Sequence, residues 1–232
     1  MLNKILRTAA LSALMVGAVQ AAEIEVKIVN NTGVSFFTPL LVATHAHDTQ
    51  LFKTGMAASA SLQAMAEGGD IAHLVADLSA ADANIVENPA AGLLAPGTHT
   101  MATLNTDASN DSLSLVAMIL PTNDGFIALN NWKVPTTPGV YKVALNAYDA
   151  GTEANDEIIN GAGAPGEAGI PADPSGNGGE NGTGVAGAAV EGFVHIHRGI
   201  LGDTDGTGGM SDLDATKHRW MNPVATAIIT VK

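Results

Sequence analysis

From residue 24 onward the chain alternates. Ile24, Val26 and Ile28 are apolar while Glu25 and Lys27 are charged, a period of two that describes a strand with one face buried. Val29 breaks the alternation, and Asn30 to Gly33 read as a turn. The same pattern, or a short apolar run between turn residues, predicts strands at 35–45, 98–104, 112–120, 126–130, 140–148, 192–197 and 224–231. Strand following strand in this way specifies an all-β, antiparallel sandwich of about eight strands. One region departs from it. In ASASLQAMAEGGDIAHLVADLSA, Ser59 or Ser61 caps a short helix, Gly68-Gly69 ends it, and a second helical turn follows over 71–78. This is a short helical insertion beside the sheets.

Two stretches follow other rules. Residues 1–21 place Lys4 and Arg7 before the apolar run LSALMVGAV and small residues near Ala21, the layout of a signal peptide. The run is far shorter than the roughly 20 residues of a membrane helix, and no later run reaches that length. Residues 161–187 hold ten glycines and three prolines, with Ile170 and Val185 as the large apolar residues. Such a composition buries too little surface to offset its ordering entropy, so it reads as a mobile loop inside one domain spanning 22–232.

Charge narrows the function. Without Lys4 and Arg7 the chain carries 8 basic against 23 acidic residues, a net charge of −15. That disfavours nucleic acid and favours cations or basic partners. There is no cysteine, so the exported domain rests on its core, for which 46% hydrophobic residues suffice despite 4% aromatics.

The acidic residues are not evenly spread. The strand VYKVALN runs into AYDAGTEANDE, which sets Asp149, Glu153, Asp156 and Glu157 within nine residues. Like charges so close repel unless solvent screens them or a cation gathers them. Asp124, in the turn PTNDGF, is a further acidic contributor. A second group lies in GDTDGTGGMSDLDAT, where Asp203, Asp205 and Asp214 fall at positions one, three and twelve of an EF-hand-like spacing that lacks the final Glu and flanking helices. Histidines form a third group. His45 and His47, and likewise His195 and His197, sit at alternate positions, so each pair points to one face of its strand. Two such pairs meeting at a sheet rim suit copper or zinc. No G-x-S-x-G, H-E-x-x-H, phosphate loop or cysteine nucleophile is present, which argues against an enzyme.

PTNDGFIALN, YDAGTEANDE, VHIHRG and RWMNPVATAIITV, with THAHD at 44–48 and the SLQAMAEGGD segment, resemble the bacterial branch of the spondin-domain (spondin N-type) proteins. The resemblance spans roughly 23–232. It implies a C2-like sandwich, an extracellular or cell-surface setting, and calcium held by Asp124, Asp149 and Glu153 with Asp156. The expected function is an exported calcium-binding module for cell-surface or matrix adhesion, acting as a monomer on an unidentified ligand. The alternative is a periplasmic or surface copper-capture protein using the His-x-His pairs, since some bacterial proteins resembling this family bind copper through histidines.

Overall fold

The structure is a computed structural model that describes residues 21–232. The expected leader lies outside the described residues except for Ala21. The elements in order are β1 (Ala22–Asn30), β2 (Phe36–Phe37), β3 (Leu41–His45), α1 (Ala60–Gly68), α2 (Ala72–Ala80), β4 (Asn84–Glu87), β5 (His99–Thr106), β6 (Ser112–Leu120), β7 (Gly125–Lys133), β8 (Gly139–Asp149), β9 (His195–Ile196) and β10 (Ala225–Val231). The main sheet runs β4-β3-β6-β7-β8-β10-β1-β5, with every pairing antiparallel. Thr44 Oγ1 (2.7 Å) and Asn84 Nδ2 (3.2 Å) both donate to Asn105 O, drawing the two ends together. The result is a sheet nearly closed into a barrel-like sandwich.

Burial explains the sequence pattern. In β6 all nine residues are buried because both faces are covered. Leu113, Leu115, Ala117 and Ile119 join Ile24, Val26, Ile28 and Ile229 inside the sandwich. Val116, Met118 and Leu120 face a second core made with Leu62, Met65, Leu74 and Leu78 of the helices. A strand buried on both sides reads as a continuous apolar run, and β6 does so. Strand β1 has one covered face, and it alternates. Asn30 keeps the inward period that Val29 interrupts, and its buried Nδ2 donates to Ser35 O (2.9 Å) and Leu94 O (3.1 Å). Ser59 caps α1, accepting from Leu62 N, and Gly69 ends it at φ 71°.

Several boundaries differ from the expected ones. The predicted strand 35–45 divides into β2 and β3 around Pro39, which has no N–H for a ladder. The predicted strand 192–197 shortens to His195–Ile196, and β7 continues past residue 130 to Lys133. Strand β4, absent from the sequence reading, is a four-residue edge beside β3. No helix among the described residues is long and apolar enough to cross a membrane.

Candidate metal centre

At one end of the sandwich three segments converge: the turn 121–124, the loop after β8, and the segment 191–197. The first is built by Thr122, whose Oγ1 donates to Ile119 O (2.6 Å) and accepts from Gly125 N (3.0 Å). That turn reaches across to the acidic loop through two buried side chains. Asp124 Oδ2 accepts from Thr152 N (2.7 Å), Thr152 Oγ1 (3.1 Å) and Glu153 N (3.1 Å). Asn123 donates to Asp156 Oδ1 (2.9 Å) and accepts from Glu157 N (3.2 Å).

The third segment docks at Gly151. Its φ is 68°, and a Cβ there would run into the backbone of Phe193, so only glycine permits the approach. Gly192 N donates to Gly151 O (2.8 Å), and β9 pairs His195 with Asp149. This brings Glu191 and His195 to the acidic loop across 40 residues of sequence.

The four clustered carboxylates are not a solvated run. Asp149, Glu153 and Glu157 are buried. Asp149 accepts from Gly151 N (2.8 Å) and Asn155 Nδ2 (2.8 Å). Glu157 accepts from Leu201 N (2.7 Å), Gly202 N (2.8 Å) and Ser211 Oγ (2.7 Å). The glycine-rich stretch supplies further donors, with Gly169 N on Glu153 Oε2 (3.0 Å) and Gly166 N on the buried Glu67 (2.6 Å). Residues 161–187 carry no strand or helix, yet Asp212 accepts from Glu180 N and Gly182 N, each at 2.8 Å.

Not every polar atom at this end is satisfied. Asp124 Oδ1, Glu153 Oε1, Glu191 Oε2, His195 Nε2 and His197 Nε2 are buried without a hydrogen-bond partner among the described residues. An unpaired buried polar atom costs about 1–3 kcal/mol, so a concentration of them at one place points to a missing partner. Burial, and then the charge of Asp149, pushes Asp124 up to about 7. Burial also pushes Glu153 up to about 7, partly offset by the Gly169 N–H and reinforced by the charge of Glu67.

Among the described residues, Asp149, Glu191 and His195 form a set whose donor atoms all lie within 4.8 Å of one another. His195 Nε2 is 3.6 Å from Asp149 Oδ1 and 4.0 Å from Glu191 Oε1. Its Nδ1 lies 2.9 Å from Ile196 O, an acceptor, which in the neutral ring places the proton on Nδ1 and leaves the Nε2 lone pair to bind a metal. His197 is the opposite case. Its Nδ1 accepts from Gly199 N (2.9 Å), which places the proton of the neutral ring on Nε2. Burial holds this imidazole down to about 4 against the pull of Asp149.

The other predicted donors are distributed differently. Asp156 is turned to Asn123 and Ile158 N. His45 is buried, its Nε2 bound to Ser114 Oγ (2.7 Å) and its Nδ1 to Ala46 O (2.9 Å); His47 Nδ1 meets Ser112 Oγ at 2.9 Å. Both belong to the far end of β6, roughly 25–30 Å along the strand from the turn 121–124, so the two histidine pairs do not meet. Asp203, Asp205 and Asp214 do share a cleft, but Lys217 shares it too and binds Asp214 at 2.9 Å. Asp203 accepts from Asp205 N, Met210 N and Ser211 N, while Asp205 and Asp214 accept from Thr207 and Thr216. These carboxylates are used by their own turns. Glu191 escaped the sequence reading because it follows a glycine-rich stretch with no pattern, and the only signal was its place four residues before His195.

Residues 30–158 match the family model Spondin_N. No curated protein matches the chain significantly. The matched segment contains Asp124, Asp149 and Glu153 and ends before Glu191 and His195.

Proposed function

This chain belongs to the Spondin_N family, and from that premise we propose that it is a metal-binding surface module whose ion sits among Asp149, Glu191 and His195. One observation carries the reading: Nε2 of His195, whose Nδ1 is taken up with Ile196 O, faces two carboxylates at 3.6 and 4.0 Å, an arrangement of oxygen and nitrogen atoms that a shared cation holds together. A mixed imidazole and carboxylate set favours zinc or copper over calcium. The ion ties the segment 191–195 to the loop after β8 and stabilises the folded chain by mass action.

Calcium is the second reading, and a separate observation favours it. Asp124 Oδ1 and Glu153 Oε1 are buried, unpartnered oxygens on loop carboxylates, the donor chemistry calcium takes, and they lie within the family match. On either reading the protein is an exported, monomeric binding module, not an enzyme, that meets a ligand at the cell surface or in extracellular matrix. The family and the acidic surface support that setting, and fold alone does not name the ligand.

Elemental analysis of the purified chain after dialysis against equimolar calcium, zinc and copper tests both. About one zinc or copper per chain, lost in His195→Ala and kept in Asp124→Asn/Glu153→Gln, supports the first reading. Calcium with the opposite mutational pattern supports the second. A chain that retains none of the three overturns both.

A further inference from the structure

A cleft opens on the other face of β8. Strands β7 and β8 pair only from Gly125 with Asp149 to Ala128 with Asn146; beyond that point β7 stays with β6 and β8 with β10. Where they part they leave a cleft of about 430 Å³, closed on its third side by residues 50–54. This volume is within the range of small-molecule sites.

The cleft wall is irregular by construction. Between the pairs Leu113–Trp132 and Leu115–Leu129, two β7 residues, Asn130 and Asn131, stand opposite the single Ser114. This β-bulge holds Asn131 at φ 55°, its N–H donating to Ser114 Oγ at 2.8 Å. Such bulges re-aim side chains, and a left-handed non-glycine residue costs energy that the surroundings must hold. Asn130 is spent on the loop, accepting from Leu51 N (3.2 Å) and donating to Phe52 O (2.7 Å). Asn131 donates to His47 O (2.7 Å), which leaves its Oδ1 buried and without a partner.

The remaining lining is chemically selective. Tyr148, half-buried, brings an aromatic ring, backed by the buried Phe52 with centroids 4.9 Å apart and stacked on Phe126. Gln50, Lys53 and Asn146 bring two amides and an ammonium whose ends bond no other described side chain. The lining contains no carboxylate, in a chain with 23 acidic residues. Cations therefore have no reason to enter. A ligand with an apolar face and many hydroxyls does.

We propose that this cleft binds a saccharide. A sugar ring sets its C–H face against the aromatic wall, where the ring quadrupole attracts the slightly positive hydrogens. Its hydroxyls take donors and acceptors from the amides of Gln50 and Asn146, each of which offers both, while Asn131 offers its unpartnered Oδ1. Lys53 holds a hydroxyl or an acidic sugar's carboxylate. An extended peptide adding to the open strand edges is the competing occupant, but the bulge at Asn131 breaks the regular ladder such a strand needs.

The test is a titration of the ¹⁵N-labelled exported chain with cellotriose, chitotriose and trigalacturonic acid, and separately with a soluble Thr/Val heptapeptide. The proposal expects saturable shifts at Leu129 to Asn131 and Asn146 with at least one saccharide. It expects about tenfold weaker binding in Gln50→Ala/Asn146→Ala, which removes two hydrogen-bonding amides, one from an exposed and one from a half-buried position, and keeps the melting temperature. Shifts that persist in chelator separate this site from the metal rim, because Tyr148 and Asp149 point to opposite faces of β8. Saturation by the peptide and by no saccharide, or saccharide binding indifferent to the double variant, overturns it.

Discussion

His195 Nε2 stands 3.6 Å from Asp149 Oδ1 although 45 residues separate them in the chain, and the pairing of β9 with β8 sets the two residues opposite each other. The pairing aligns an imidazole lone pair with a carboxylate that no solvent reaches. On the proposed reading, zinc at a hundredfold excess over its dissociation constant should stabilise the fold by about 2.7 kcal/mol, visible as a rise in melting temperature. His195→Ala abolishes that rise, and Glu191→Gln reduces it. Equal melting shifts in wild type and His195→Ala place the ion elsewhere.

With chelator present, stability at this rim should depend on pH in an unusual way. Asp124 and Glu153, each pushed up to about 7, keep protons that the unfolded chain releases above about 4, so stability falls as pH rises from about 4 to about 7. His197, held near 4, works in the opposite direction up to the ordinary histidine value. Two carboxyls outweigh one imidazole. The urea midpoint in chelator should therefore drop between pH 5 and pH 7.5, and in Asp124→Asn the slope up to pH 6.5 should nearly vanish because one carboxyl then balances one imidazole.

Asp212 collects three backbone donors at 2.8 Å, from Ile159, Glu180 and Gly182. Asp212→Ala leaves these N–H groups without an acceptor and should cost about 3 kcal/mol in chemical denaturation. Amide exchange gives a local reading. Glu180 and Gly182 should be protected in the native chain and unprotected in the variant; fast exchange in both would mean that the glycine-rich stretch is mobile, as its composition alone suggests.

Gly151→Ala tests the docking of the third segment. The added Cβ meets the Phe193 backbone, and φ 68° is strained for alanine. The expected outcome is a loss of about 1–3 kcal/mol together with weakened metal binding, because Glu191 and His195 move away from Asp149. Unchanged affinity would show that the docking does not build the site.

Some of this was legible from residue order. Ile24, Val26 and Ile28 announce a half-buried strand because the side-chain period of a strand is two. Ser59 and Gly69 mark a helix because they satisfy its ends. The glycine at 151 is harder to read, since a chain does not say which backbone will approach it. Strand β4 was missed because NIVE is four residues long and its pattern is no stronger than that of a loop.

By itself the sequence determined the all-β class, the helical insertion and the clustering of carboxylates after β8, because periodicity and local spacing are short-range properties of the chain. Only the tertiary structure decided that Glu191 and His195 join Asp149, that His45 and His47 stay with serines at the far end of β6, and that the Asp203 loop spends its carboxylates on its own turns. Those outcomes depend on which segments pack together and which lone pairs the backbone has already taken, and neither is written in any one stretch of residues.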